Sequence, residues 1–312
     1  MACDVGAVAR QPSFVMDPAL SFEPHRRHLR GLAYRMLGSI AEAEDAVQDA
    51  YLRWHAVDRD QVTDPRAFLT TTTTRICLDA LRSARARREE YVGPWLPEPV
   101  VDTKALAPDA QTELAEDLSI ALLLALDRLS PLERAAFLLH DVFDCSFSEV
   151  ARALDRSEAA CRQLASRART HVRDARPRDA SVARDRDDDS ATRHDELVSA
   201  FVDAARSGDV NALMHMLAED ARFVSDGGGK VQAALNVING ADRVTRFIVG
   251  VTKKGLAEVS RLRFGPVNGL PGLIAYSTDG SVQTVAFEIE DDRIRTIYTV
   301  RNPDKLRHLT SA

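Results

Sequence analysis

Residues 147–178 read FSEVARALDRSEAACRQLASRARTHVRDARPR. The spacing predicts two helices joined by a tight turn. Val150, Ala151 and Leu154 place apolar atoms on one face of a short first helix, and Cys161, Leu164 and Ala168 do the same on a second. Between them lies Asp155-Arg156-Ser157. Ser157 suits an N-cap, because its hydroxyl can accept from a free N–H of the first turn. Asp155 stands where many helix-turn-helix units carry Gly; Asp tolerates the left-handed backbone better than most residues, though less well than Gly.

Charge gathers on the second helix. From Cys161 to Arg178 there are six arginines and one acid, Asp174. Arginine matches phosphate and guanine edges better than any other side chain. The DNA-contact candidates are Ser157, Glu158, Arg162, Gln163 and Ser166 on the outward N-terminal part, followed by Arg167, Arg169 and Arg173. A solvated basic helix is the competing reading. The apolar spacing, the turn and the arginine bias together favour DNA.

The chain has 312 residues, enough for two or three domains. Apolar residues make up 45% and charged residues 28%, ordinary for a globular protein. A net charge of −6 argues against a uniformly basic coat for nucleic acid and leaves local basic patches. Cys3, Cys77, Cys145 and Cys161 show neither CxxC spacing nor a zinc pattern, so they read as reduced thiols of a cytoplasmic protein. No metal, cofactor or membrane association is expected. The first residues lack an apolar leader and read as a loose tail over 1–19.

In chain order, a first helical domain is expected over 20–90. Its helices are Phe22–Leu37, Ala41–Ala56 and a long run after Asp64-Pro65, an N-cap followed by Pro at the first helical position. Thr70–Thr74 is locally strand-like, but Phe68, Leu69, Ile76, Ala80 and Leu81 keep helical spacing. The long helix ends in Arg82, Arg85, Arg87 and Arg88, a candidate phosphate surface. Residues 91–112 form a Pro-rich linker, too apolar around Trp95 for a solvated spacer. A second helical domain is expected over 113–176, with helices Leu114–Leu129 and Pro131–Val142 leading into the helix-turn-helix. A polar linker is expected over 177–194. Over 195–312, helices followed by an antiparallel sheet predict an α+β domain.

Several motifs carry a family resemblance. They are Glu44-Asp45-Ala46-Val47-Gln48-Asp49-Ala50-Tyr51-Leu52, Asp64-Pro65-Arg66-Ala67-Phe68-Leu69, Leu129-Ser130-Pro131-Leu132-Glu133-Arg134, and the run from Ser157 to Arg169. In these the chain resembles an extracytoplasmic-function sigma factor of the sigma-70 family, with region 2 over 20–90 and region 4 over 113–176. The last domain resembles the SnoaL-like, NTF2-type cone. The subfamily with that extension carries Trp95-Leu96-Pro97-Glu98-Pro99, Asp226-Gly227-Gly228-Gly229-Lys230 and Asn302-Pro303-Asp304-Lys305-Leu306, all present here in that order.

The resemblance implies two all-α sigma domains followed by an α+β cone, and an initiation factor that is not an enzyme. Its implied partners are core RNA polymerase, through the β′ clamp and β flap, and promoter DNA. Glu44, Asp45, Gln48 and Asp49 become the clamp contacts. Val57–Asp64 and the helix after it become the −10 reader, which captures a flipped base and melted strand. Arg82, Arg85, Arg87 and Arg88 meet the upstream phosphates. Arg162 and Gln163 become −35 base contacts. The third domain, absent from minimal factors of this type, implies control built into the chain.

Within that domain Asp226 is the best catalytic acid, beside Gly227, Gly228, Gly229 and Lys230. A phosphate-binding loop does not fit, since Val224 stands where the pattern needs Gly and Val231 where it needs Ser or Thr. The favoured reading is a turn packed closely against another domain; a small-molecule ligand or catalysis are the alternatives. Trp95, Leu96 and Pro97 are expected to dock on this turn and on Asn302, Pro303, Asp304 and Lys305. A ligand-sensing helix-turn-helix regulator is the rival function.

Overall fold

The computed structural model describes residues 18–58, 61–89, 91–101, 118–175, 188–255 and 259–310. Of the tail expected over 1–19, residues 1–17 lie outside the described residues, as do 102–112 of the 91–112 linker and 177–187 of the 177–194 linker. Three helices come first: α1 (Pro18–Leu37), α2 (Ile40–Ala56) and α3 (Pro65–Glu89). The Ser39 side chain caps α2 by accepting from the Glu42 amide. Asp64 caps α3 through the Ala67 amide at 3.0 Å. The threonine run stays helical because Leu69, Ile76 and Leu81 on either side of it are buried at helical spacing. Two of its hydroxyls find partners one turn back, Thr72 donating to the Phe68 carbonyl and Thr74 to that of Thr70, both at 2.8 Å.

The second group is α4 (Ile120–Asp127), α5 (Pro131–Phe137), α6 (Phe147–Leu154) and α7 (Glu158–Ala175). Of the helix expected over Leu114–Leu129, the part up to residue 117 lies outside the described residues, and α4 runs from Ile120 under a Ser119 cap. Capping boxes Ser130/Glu133 and Ser146/Glu149 start α5 and α6. After α5 the backbone widens into a π turn, Leu138–Val142, within the stretch expected as one α-helix.

The last group is α8 (Asp188–Ser207), α9 (Val210–Met216), β1 (Leu217–Asp226), β2 (Ile238–Asn239), α10 (Ala241–Gly255), β3 (Val259–Phe264), β4 (Gly272–Ser277), β5 (Val282–Glu290) and β6 (Arg293–Val300). α8 starts within the segment expected as linker. The strand order is β2-β1-β6-β5-β4-β3. The sheet is mixed, not antiparallel throughout. β1 and β6 pair in parallel because the β3–β6 meander returns the chain beside β1 in the same direction.

The packing joins what the sequence divides. One core unites α1–α3 with α4–α7, from Leu32 and Tyr34 through Cys77 and Leu81 to Phe137, Cys161 and Val172. A second fills the space between α8–α10 and one face of the sheet. A third covers the opposite face with Leu96 of the linker, Ile120 of α4, and Leu306 and Leu309 of the C-terminal turns. Alternation along β4 shows why both faces are buried: Leu273 and Ala275 enter the second core, Ile274 the third.

Candidate functional sites

The helix-turn-helix has the geometry its sequence predicts. Asp155 ends α6 in the left-handed region, at φ 53° and ψ 55°. The Ser157 hydroxyl accepts from the Ala160 amide at 3.3 Å. Cys161, Ala165, Ala168 and Val172 face the core, so Ser157, Glu158, Arg162, Gln163, Ser166, Arg167, Arg169 and Arg173 are all exposed. Several of these arginines are engaged within the chain. Arg162 pairs with Glu158 at 2.6 Å, Arg169 with Asp141 at 2.6 Å, and Arg167 with Glu133 at 3.4 Å.

On α2, Asp45, Gln48 and Asp49 are exposed, while Glu44 is half-buried and bound to Arg30 at 2.6 Å. Arg82 is exposed and pairs with Asp79. Arg85, Arg87 and Arg88 lie on the last turns of α3, with side chains outside the described residues.

The segment Leu139–Ala153, which includes most of α6, lies over the 57–64 loop and the first turns of α3. A groove of about 1000 Å³ runs between the two, lined by Val57, Gln61, Arg66 and Thr71 on one side and by Cys145 and Arg152 on the other. Arg75 of α3 closes one end: its Nε donates to the Ala153 carbonyl at 3.1 Å and its guanidinium to the Arg152 carbonyl at 2.8 Å. These are the last carbonyls of α6, which have no partner within their own helix. Arg134 of α5 makes the reverse contact, donating to the Met36 carbonyl of α1 at 2.6 Å.

The three subfamily motifs meet around Asp226. This side chain is fully buried, and each of its oxygens accepts two bonds. Oδ1 takes the Tyr91 hydroxyl at 2.5 Å and the Gly228 amide at 3.0 Å. Oδ2 takes the Leu96 amide at 2.8 Å and the Lys305 ammonium at 2.7 Å. Lys305 also donates to the Leu96 carbonyl at 2.5 Å and lies 4.4 Å from the Trp95 ring centre. Burial, with the bond to Asp226, pushes the Tyr91 hydroxyl upward from its ordinary pKa. Lys230 pairs with Asp304 at the rim. The glycines permit the approach: a Cβ on Gly228, at φ +59°, would sit 2.2 Å from the Asn302 amide nitrogen, and one on Gly227 would sit 2.5 Å from the Val231 carbonyl. Leu96 is buried, as is Asn302, which caps the Pro303–Lys305 turn. Pro97 and Pro303 lie within the same segments; no polar contact involves their side chains.

This cluster around Asp226 acts as a clasp that reaches both helical domains, through Trp95 and Glu98 of the linker and through Asn268, which sequence reasoning did not single out. The Trp95 ring covers Gly38, where a Cβ would come within 2.5 Å of the indole. Glu98 donates its amide to the Gly38 carbonyl at 2.8 Å. Its carboxylate accepts from the Ser39 hydroxyl at 2.9 Å and the Ile40 amide at 2.7 Å, and its carbonyl accepts from Tyr34. Asn268 binds the Val100 backbone, the Tyr34 hydroxyl and the Leu118 carbonyl. The Asn268-Gly269 dipeptide marks a turn in the sequence, but nothing local says what it binds.

Residues 22–87 match Sigma-70 region 2, and residues 119–172 match Sigma-70, region 4. The chain is 42% identical over 296 residues to the ECF RNA polymerase sigma factor SigJ of Mycobacterium tuberculosis, covering 91% of each chain. It is 31% identical to the probable ECF RNA polymerase sigma factor SigI of the same species, over 93% of this chain and 95% of that one. The crystal structure of Mycobacterium tuberculosis SigJ superposes with a TM-score of 0.69 at 36% identity, covering 93% of this chain and 98% of that one. The chain belongs to the extracytoplasmic-function RNA polymerase sigma factors. It is a transcription initiation factor whose partners are core RNA polymerase and promoter DNA, and its C-terminal domain is SnoaL-like. Among the described residues, no helix is long and apolar enough to cross a membrane.

Proposed function

We propose that the chain docks on the polymerase β′ clamp through Asp45, Gln48, Asp49 and Glu44, places region 4 on the β flap, and works in the cytoplasm. α7 reads the −35 duplex, with Arg162 and Gln163 at base edges and Arg167, Arg169 and Arg173 on phosphates. The 57–64 loop and α3 read the melted −10 strand, with Arg82, Arg85, Arg87 and Arg88 on the backbone. The C-terminal domain acts as an internal restraint. One observation carries this: a single buried carboxylate, Asp226, binds the linker at Tyr91 and Leu96 and the C-terminal turn at Lys305.

Two separated promoter elements cannot be read while region 4 roofs the −10 reader, so the closed arrangement must open. The clasp opposes that opening, because the same domain holds the linker, whose Trp95 covers Gly38 of region 2, and binds Leu118 at the start of the second helical domain through Asn268. Asp226 has no free lone pair for acid–base chemistry and no exposure to substrate, which favours a structural role over catalysis.

Run-off transcription with core polymerase tests the reading, comparing the full chain, Trp95→Ala, and a chain ending before α8. Higher output from the last two supports restraint. Equal or lower output from both rejects it. Duplex binding without any initiation points to the ligand-sensing regulator instead.

A further inference from the structure

His308 lies on the last turn of the chain, and both of its ring nitrogens face acceptors. Nε2 is 3.0 Å from the Pro99 carbonyl oxygen, and Nδ1 is 3.2 Å from Glu98 Oε1. A carbonyl oxygen can only accept, and so can a carboxylate. A neutral imidazole carries one N–H and satisfies one of these contacts; the imidazolium carries two and satisfies both.

Glu98 is ionised at this site. Burial pushes its carboxyl upward, but hydrogen bonds from His308, Ser39 and the Ile40 amide outweigh burial and hold it below the ordinary glutamate value. Its other oxygen, Oε2, is the one that binds the Ser39 hydroxyl and the Ile40 amide at the start of α2. One carboxylate therefore joins the C-terminal turn to the N-terminus of the helix that carries Glu44, Asp45, Gln48 and Asp49. We propose that doubly protonated His308 is a positioning residue that fixes the start of the polymerase-facing helix through Glu98, making the hold of the C-terminal domain on region 2 proton-dependent.

The surrounding charges agree with this assignment. On its own segment, Arg307 is paired with Asp304 at 2.7 Å and Lys305 with Asp226, which leaves Glu98 as the carboxylate bound to the ring. From α1, Tyr34 binds the Glu98 carbonyl, with Arg35 as its charged neighbour. From α2, the Ile40 amide and the Ser39 hydroxyl reach Glu98 as donors. His308 keeps 28% of its side chain exposed, so protons exchange without unfolding. The doubly protonated ring makes one more hydrogen bond in the closed arrangement than the neutral ring, so acid favours closure and rising pH loosens it.

The inference rests on the clasp reading, and the test separates the two. Hydrogen exchange of the full chain is followed in the 93–101 and 38–42 backbones at about pH 6 and pH 8, the range over which histidine changes charge, corrected for intrinsic exchange. Protection in the wild-type chain should fall about tenfold at the higher pH, the scale of one charge-assisted hydrogen bond. His308→Lys should stay protected at both values and His308→Ala should be weakly protected at both. Wild-type protection that is high and pH-independent overturns the role of His308 and leaves the clasp standing. Absence of protection at either pH overturns the clasp itself. Ring-nitrogen NMR of the wild-type chain gives a second reading: a neutral His308 tautomer at pH 6 overturns the proposal even if a variant fails to fold.

Discussion

Lys305 and Asp226 form an ion pair at 2.7 Å with almost no solvent around it: the carboxylate side chain is fully buried and the lysine side chain 13% exposed. Both partners belong to the C-terminal domain, yet the pair is completed by the Leu96 amide and carbonyl of the interdomain linker. Docking of the linker and satisfaction of the buried charges are one event. A buried pair of this kind is weak ground for stability on its own, but breaking it from one side is severe.

Lys305→Met should therefore destabilise the full chain by about 3–5 kcal/mol, because the Asp226 charge is left buried without its cation. Asp226→Asn combined with Lys305→Met should recover most of that loss. Denaturant unfolding of the two single variants and the double variant gives the coupling energy directly. Additive losses would show that the two residues act independently.

Glycine substitutions should separate the clasp from the rest of the domain. Gly228→Ala forces a methyl group into Asn302 at a positive φ, and a loss of about 1–3 kcal/mol is expected. Gly250, inside α10, has nothing within 4 Å of a Cβ, so Gly250→Ala should stabilise by about 0.5–1 kcal/mol. Thermal melts of both variants make the comparison.

On the recognition helix, two arginines should fail differently. Arg162→Ala should relax discrimination at one −35 position by about 1–3 kcal/mol, as expected of a base contact. Arg173→Ala should weaken every sequence alike and lower the salt slope of binding by about one. Binding of polymerase holoenzyme to promoter variants across a salt series distinguishes these outcomes.

The sheet face formed by Val224, Ile274, Tyr298 and Val300 is covered by Leu96, Ile120, Leu306 and Leu309 of the same chain. The full chain should therefore run as a monomer in light scattering. A fragment beginning at α8 lacks Leu96 and Ile120, uncovers part of that apolar face and should self-associate. A monomeric fragment, or a full chain that dimerises through this face, would contradict the arrangement.

Local patterns in the sequence determined the helices, the helix-turn-helix and its outward arginines. Capping residues, apolar spacing and the Asp155 turn act within a few residues of one another, and their physics is readable along the chain. The apolar Trp95–Pro99 linker and the Gly227–Gly229 turn also announced a docking site. The tertiary structure alone decided what met there. Tyr91, Asn268 and His308 are unremarkable in sequence, and they matter because long-range folding brings them to Asp226, Tyr34 and Glu98. The parallel β1–β6 pairing and the core shared by regions 2 and 4 were equally invisible, since burial of an apolar stripe says that a face is covered but not by what. Periodicity encodes which side of an element is dry; only the closed chain chooses its neighbour.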